Sequence, residues 1–243
     1  MGNCFYCSKA EPVVQTKAGK IRGFKMNSTY TFHGIKYADA DRFQMPREVK
    51  PWKGIKNALA YGYVCPMLMQ DHPLMEVMIP HRYWPMDENC QYLNIWTQSL
   101  DPEAKKPVMV WLHGGGFFAG SSIEQVAYEG DHLSEYGDVV VVSLNHRLNI
   151  LGYLDLSAYG EKYYNSANVG NADMVAALHW GLYPRKSNEF QIDYAPEGII
   201  THLHLIIGAQ NLSVALVSQI SQSIQKVLQY HNSRYSPSIA STL

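Results

Sequence analysis

Three short apolar runs constrain the fold of this chain most; they lie at residues 92–96, 107–112 and 139–144. Each run has the length and the apolar composition of a strand that is buried on both faces. Helical patterns lie between and after the runs, at residues 124–136 and 173–180. Buried strands that alternate with helices predict an α/β fold, with helices on both faces of the sheet.

The part of the chain before these runs is less regular. Residues 1–12 are expected to form a flexible N-terminus. Residues 13–24 alternate around an Ala-Gly-Lys turn, which predicts a hairpin of two short strands, and residues 30–37 predict a further strand. Prolines recur through residues 39–86, so a long folded-over loop is predicted there.

The composition is that of a soluble globular protein, with 47% hydrophobic and 17% charged residues in a chain of 243. Its 20 basic and 21 acidic residues are interspersed and give a formal net charge of -1. Nucleic acid is not an expected partner, because no basic patch is available to contact phosphates. No transmembrane segment is predicted either, since no apolar stretch is long enough to span a bilayer.

The first residues decide the expected localisation. Residues 1–10 contain no apolar signal-peptide core, so the chain as written is expected to be cytoplasmic. Lipid anchoring through Gly2 and Cys4 is the alternative, because two acyl chains hold a protein at a membrane, and secretion is left open. Cys4 and Cys7 form a lone Cys-x-x-Cys pair, from which we predict neither a metal nor a cofactor.

The segment that carries chemistry is a strand that runs into three glycines. Val108–Leu112 is followed by His113 and then by Gly114, Gly115 and Gly116. Glycines let the backbone direct several N–H groups into one small space, where they could stabilise a developing oxyanion. Three glycines alone would favour a plain tight turn, but His-Gly-Gly-Gly-Phe after a buried strand is far more specific.

The order of motifs over residues 13–180 resembles that of type-B carboxylesterases and cholinesterases, a family of α/β-hydrolases. The matching motifs are Gly34-Ile-Lys-Tyr-Ala, Glu88-Asn-Cys-Gln-Tyr-Leu-Asn, His113-Gly-Gly-Gly-Phe, Asn145-His-Arg-Leu-Asn and Asn168-Val-Gly-Asn-Ala-Asp. Asn89 and Gln91 depart from the family's Asp and Leu, and Asn149 stands where the family motif Asn-Tyr-Arg-Leu-Gly has glycine. The resemblance implies an α/β-hydrolase-type mixed sheet, truncated after the first part of the fold.

The resemblance also implies site residues and a substrate class. The N–H groups of Gly115 and Gly116 would form two-thirds of an oxyanion hole for a small carboxylic ester, with no cofactor. Cys65 and Cys90 would form a disulfide, although two reduced, buried thiols are the alternative if the compartment is not oxidising. His113 is expected to support the glycines from below.

The catalytic serine of the family is missing from the sequence. It belongs to a Gly-x-Ser-x-Gly turn between a strand and a helix, and no such pattern occurs anywhere in this chain. The match dissolves after Trp180, and the acid and histidine of the triad belong to the family's second half. Asp173, in the last matching motif, is interpreted as a residue that caps or anchors a helix start.

Residues 181–243 form a divergent tail, which we do not assign to a domain. An alternative exon, a frame shift and a gene-model error are the three origins left open. Residues 201–207 predict a strand, and apolar residues that begin at Leu212 recur at helical spacing. Ser213 is interpreted as a helix-start residue, with a nucleophilic role as the alternative. His202 and His204 would share one strand face, where a structural pair is expected more often than a metal site.

Three hypotheses follow from the sequence. The first is a truncated, catalytically incompetent member of the carboxylesterase family. The second is a non-catalytic binding module of the cholinesterase-like fold, and the third is a weak esterase that uses Ser213 as a non-standard nucleophile. A truncated sheet would also expose an apolar edge, which predicts self-association.

Overall fold

A computed structural model of the protein describes residues 11–67, 81–181 and, for the backbone, 203–207. Gly2, Cys4, His202, Ser213 and the helix expected from Leu212 lie outside the described residues. Lipid anchoring therefore stays a prediction. In the part that the structure describes, no helix is long and apolar enough to cross a membrane.

The described elements are eleven strands, three α-helices and several short 3-10 helices. The strands are β1 (Val13–Gln15), β2 (Lys20–Arg22), β3 (Phe24–Met26), β4 (Thr29–Lys36), β5 (Ala38–Asp39), β6 (Arg47–Glu48), β7 (Ile55–Asn57), β8 (Tyr92–Thr97), β9 (Val108–Leu112), β10 (Val140–Leu144) and β11 (Leu203–Ile207). The α-helices are α1 (Asp131–Gly137), α2 (Asn149–Tyr153) and α3 (Val169–Gly181). The 3-10 helices are Pro102–Ala104, Val126–Tyr128, Ser157–Tyr159, Glu161–Tyr163 and Ser166–Asn168.

Six strands form the central sheet, in the order β11-β9-β10-β8-β4-β3. The strands β9, β10 and β11 are parallel to one another, whereas β8, β4 and β3 each run antiparallel to the neighbour before them. The mixed sheet of the α/β-hydrolase type is therefore confirmed. Its three central strands, β8, β9 and β10, are the three apolar runs of the sequence. They were predictable because a strand that is buried on both faces is a continuous apolar run in the local sequence.

Helices cover both faces of this sheet. On one face, Val110 of β9 and Val142 of β10 belong to the same core cluster as Met174 and Ala177 of α3. On the other face, α1 packs against β8, β10 and β4. The start of α1 comes so close that a Cβ at its N-cap residue, Gly130, would lie 2.6 Å from Cγ1 of Val141. The prediction of helices on both faces is confirmed.

A single helix was predicted over residues 124–136, and the predicted bounds are wrong. The structure has a 3-10 helix at Val126–Tyr128 and then α1 at Asp131–Gly137. Gly130 separates them with φ −90° and ψ 2°, because the chain must approach the sheet closely at this point. The last helix is longer than predicted, since α3 begins at Val169 rather than at Asp173.

The predicted hairpin is present as β1 and β2, which pair antiparallel. The region predicted as one long loop contains three short strands, and one of them, β7, pairs with β2 to complete a three-stranded sheet. The other two, β5 and β6, pair with each other. These strands of two or three residues are too short to leave a periodic pattern.

The divergent tail contributes the last strand. β11 lies within the predicted residues 201–207 and pairs in parallel with β9, with Ile207 opposite Leu112. Because parallel strands end at the same edge of a sheet, β11 ends beside the three glycines that follow Leu112. In the described part of the chain, β11 is the terminal strand on this side of the sheet.

Candidate functional site

Residues 113–120, here called the glycine loop, connect β9 to the segment that precedes α1 in the chain. Its glycines adopt backbone conformations that other residues rarely reach, with φ of +115° at Gly115, +63° at Gly116 and +102° at Gly120. A Cβ at Gly115 would collide with the carbonyl oxygen of Ala119, so only glycine fits this position. Phe117 shares the left-handed region, with φ +62°, which shows that the loop is held under strain.

Within the loop, one carbonyl oxygen accepts two hydrogen bonds, and two neighbouring N–H groups have no acceptor among the described residues. Gly115 O accepts the N–H groups of Phe118 at 3.0 Å and of Ala119 at 3.1 Å. The N–H groups of Gly115 and Gly116 have no acceptor among the described residues, and both glycines are exposed. Two adjacent free donors at the end of a buried strand can bind a carbonyl oxygen or an oxyanion.

His113 lies next to a second buried histidine, His146, which the sequence pattern does not mark as a site residue. Its Nδ1 is 2.8 Å from Gly114 O, and its ring stacks on His146 with the centroids 4.9 Å apart. Burial lowers the pKa of His113 to about 4. Burial, and to a smaller extent His113, also lowers the pKa of His146. Both rings are therefore neutral near pH 7, and His113 is poorly suited to act as a general base there.

A buried ion pair joins the segment before α2 to α3. Asp173 Oδ2 accepts hydrogen bonds from the backbone N–H of Arg147 at 3.0 Å and from its Nε at 2.8 Å, and Oδ1 accepts from Nη2 at 2.8 Å. Gln91 Nε2 donates to the same carboxylate at 3.2 Å. Asp173 was expected to cap or anchor a helix start; it does not cap one, because it lies inside α3, but it anchors that helix to Arg147. Gln91, a departure from the family motif, contributes one of these bonds.

Comparison with known proteins assigns the family. A model of the carboxylesterase family matches residues 10–181, which include the glycine loop and the ion pair. The chain belongs to the carboxylesterase family. Para-nitrobenzyl esterase from Bacillus subtilis is 37% identical over 172 residues, which cover 69% of this chain and 34% of that protein. Acetylcholinesterase from Danio rerio is 33% identical over 191 residues, which cover 73% of this chain and 29% of that protein.

A solved structure resembles this carboxylesterase-family chain closely. It is an esterase from the anaerobe Clostridium hathewayi that can hydrolyse aliphatic aromatic polyesters; it is 66% identical, with a TM-score of 0.69. The match covers 71% of this chain and 34% of that one. The present chain thus spans about a third of the length of the curated relatives it matches.

The cysteine pair that the family resemblance implied is close in space, but it is not bonded. Cys65 and Cys90 are buried free cysteines in one small cluster with Leu148. Leu148 donates its N–H to Cys65 Sγ at 3.1 Å, and a hydrogen bond from Cys90 lowers the pKa of the Cys65 thiol. The expected disulfide is therefore corrected to two reduced thiols, the alternative that the sequence had left open. Hydrogen bonds occupy the sulfur in place of a covalent bond.

The remaining candidates lie in or near the tail. His204 is in β11, opposite Met109 in the register, while His202 and Ser213 lie outside the described residues. In the described ranges, no group of three or more His, Cys, Asp or Glu side chains is arranged to hold a metal ion. Of the tail residues that the structure describes, the end of β11 lies beside the start of the glycine loop, with Ile207 opposite Leu112.

Proposed function

We propose that the glycine loop acts as an oxyanion hole for a carboxylic ester, with the N–H groups of Gly115 and Gly116 as donors to the carbonyl oxygen. The observation that carries this proposal is that two exposed glycines after β9 have N–H groups with no acceptor among the described residues, in a carboxylesterase-family chain. In hydrolases one such donor contributes roughly 10²–10³ in rate, because it stabilises charge that develops in the transition state.

The chain by itself is proposed to bind esters without hydrolysing them. Hydrolysis in this family requires a serine that attacks the carbonyl, together with a histidine that accepts its proton and an acid that orients the histidine. The sequence offers no Gly-x-Ser-x-Gly turn to present such a serine. Donors alone would hold the carbonyl oxygen, and no covalent acyl intermediate would form.

An aromatic ester is the substrate class that we propose for the site. The Clostridium hathewayi esterase, which can hydrolyse aliphatic aromatic polyesters, is 66% identical over a match that covers 71% of this chain. Phe118, inside the glycine loop, is 54% exposed and could pack against an aromatic ring while the loop binds the ester carbonyl.

The test is a titration of ¹⁵N-labelled protein with methyl benzoate, followed through the amide signals of Gly115 and Gly116. Both signals are expected to shift and saturate. Gly115→Ala should abolish the shifts, because its Cβ collides with Ala119 O and redirects the loop. Gly160→Ala is the matched control: Gly160 has φ +124°, close to that of Gly115, but open space around a Cβ. Shifts that Gly115→Ala leaves intact would contradict the proposal.

A weak esterase activity that uses Ser213 is the second candidate. One observation favours it: β11, a strand of the divergent tail, ends beside the glycine loop, and Ser213 follows shortly after in the sequence. The sequence around Ser213 argues against it. A nucleophile turn packs tightly because glycines flank its serine, and Ser213 has no such glycines.

A further inference from the structure

Asn149 donates the hydrogen bonds that join the glycine loop to a distant part of the chain. Its backbone N–H lies 2.7 Å from Phe117 O, and its side-chain Nδ2 lies 3.5 Å from Phe118 O, a longer contact. Among the described residues, no other hydrogen bond joins residues 114–119 to a residue outside the loop. Within the described part of the chain, the hydrogen bonds that position residues 114–119 relative to other segments therefore all come from one residue.

The side chain of Asn149 is itself held in place on two sides. Its Nδ2 donates to Pro66 O at 2.8 Å, and its Oδ1 accepts the N–H of Leu151 at 3.3 Å. These two bonds fix which end of the amide is the donor. The side chain thus connects α2, the segment at Pro66 and the glycine loop.

The backbone of Asn149 explains why this residue type occurs here. Its φ is +48°, in the left-handed region that asparagine adopts more readily than most residues other than glycine. Glycine stands at this position in the family motif that the sequence resembles. Glycine would keep the backbone N–H bond to Phe117 O, but it would lack the amide that reaches Pro66 and Phe118.

We infer that Asn149 is a positioning residue, whose side chain clamps the glycine loop to the segment at Pro66 and keeps the N–H groups of Gly115 and Gly116 directed at one point. Preorganised donors bind an oxyanion better than mobile ones, because no reorganisation is needed on binding. This purpose rests on the proposed function. The contacts themselves, and the test below, do not depend on any ligand.

The experiment compares Asn149→Gly with wild type and with Asn27→Gly as a matched control. Asn27 also has a left-handed backbone, with φ +54°, and is exposed in the turn between β3 and β4, far from the glycine loop in sequence. Both variants relieve the same kind of backbone strain, but only Asn149→Gly removes an amide that contacts the loop. Asn149→Asp is a second variant, which keeps a side-chain oxygen for Leu151 but loses the donor.

Two readouts report on the loop. In Asn149→Gly and Asn149→Asp, deuterium exchange of a peptide that covers residues 113–120 is expected to be about fivefold faster, as the loss of one side-chain hydrogen bond would give. The amide signals of Gly115 and Gly116 should shift in the same variants without ligand. Asn27→Gly should match wild type in both readouts.

The outcomes separate this inference from the proposed function. Exchange and glycine signals that stay as in wild type in both Asn149 variants would overturn the positioning role. Faster exchange across the whole chain in Asn149→Gly, with no excess at residues 113–120, would also overturn it, since Asn149 would then be a general stability residue. If methyl benzoate fails to shift the wild-type glycine signals, only the proposed function fails.

Discussion

Among the single residues, the ion pair between Arg147 and Asp173 has the strongest expected effect on stability. Both side chains are buried, with exposures of 2% and 0%. Asp173→Asn would leave the buried guanidinium without a counter-charge, so we expect the free energy of unfolding to fall by about 3–5 kcal/mol. Urea denaturation followed by circular dichroism measures this change.

The control for that prediction is Asp138→Asn, which breaks an ion pair to Lys106 at the surface. Most of the Asp138 side chain is exposed to solvent, so its loss is expected to cost less than about 1 kcal/mol. Equal effects of the two substitutions would show that the buried pair has no special role.

The two stacked histidines predict a pH dependence of stability. Burial lowers the pKa of His113 to about 4, and the pKa of His146 is lowered in the same direction, whereas an unfolded histidine titrates near 6.5. As the pH falls below about 6.5, the unfolded chain binds protons that the folded chain excludes, so the free energy of unfolding falls towards pH 4. Above pH 7 these two residues contribute no slope.

Urea denaturation at a series of pH values between 7.5 and 4.5 tests this prediction. His146→Tyr, which restores the residue of the family motif, should make the acid-side slope shallower. His132→Gln is the control, because it removes a histidine that is exposed rather than buried. If His146→Tyr and wild type lose stability in parallel, the buried histidines are not the cause.

At the scale of elements, the start of α1 shows how closely helix and sheet approach. A Cβ at Gly130 would lie 2.6 Å from Val141 Cγ1 and 2.8 Å from Trp96 Cε3, so Gly130→Ala is expected to destabilise the protein by about 1–3 kcal/mol through overpacking. Gly137→Ala, at the other end of α1, meets Val139 only at 3.5 Å and should be neutral or slightly stabilising. Thermal denaturation of both variants checks the difference.

The elements differ in how well the sequence predicts them. β9 and β10 were predictable, because an apolar run is a local signal, and the glycine loop was predictable from its motif. The break of the helix at Gly130 was not, because it follows from the contact with Val141 and Trp96 across the sheet. The role of Asn149 was not predictable either, since its side chain contacts Pro66, 83 residues away in the sequence.

For the whole molecule, the sheet edge formed by β11 could mediate association between copies of the chain. β11 is the terminal strand there, and its sequence, Leu-His-Leu-Ile-Ile, carries no charged gatekeeper. We propose that the chain self-associates through this edge at micromolar concentration. Sedimentation velocity should show dimers or larger species, which Leu205→Lys reduces and the control Leu133→Lys, on the exposed side of α1, does not. A monomer at all concentrations would contradict the proposal.

We propose that the glycine loop of this carboxylesterase-family chain supplies oxyanion donors, while its sequence has no Gly-x-Ser-x-Gly turn to present a serine to them. Hydrolysis of a short-chain p-nitrophenyl ester, together with covalent labelling by an organophosphate, tests it most directly when purified chain is compared with Ser213→Ala. We expect neither turnover nor labelling for either protein. Turnover and labelling that disappear in Ser213→Ala would contradict it, and would show that the tail supplies a nucleophile beside the glycine loop.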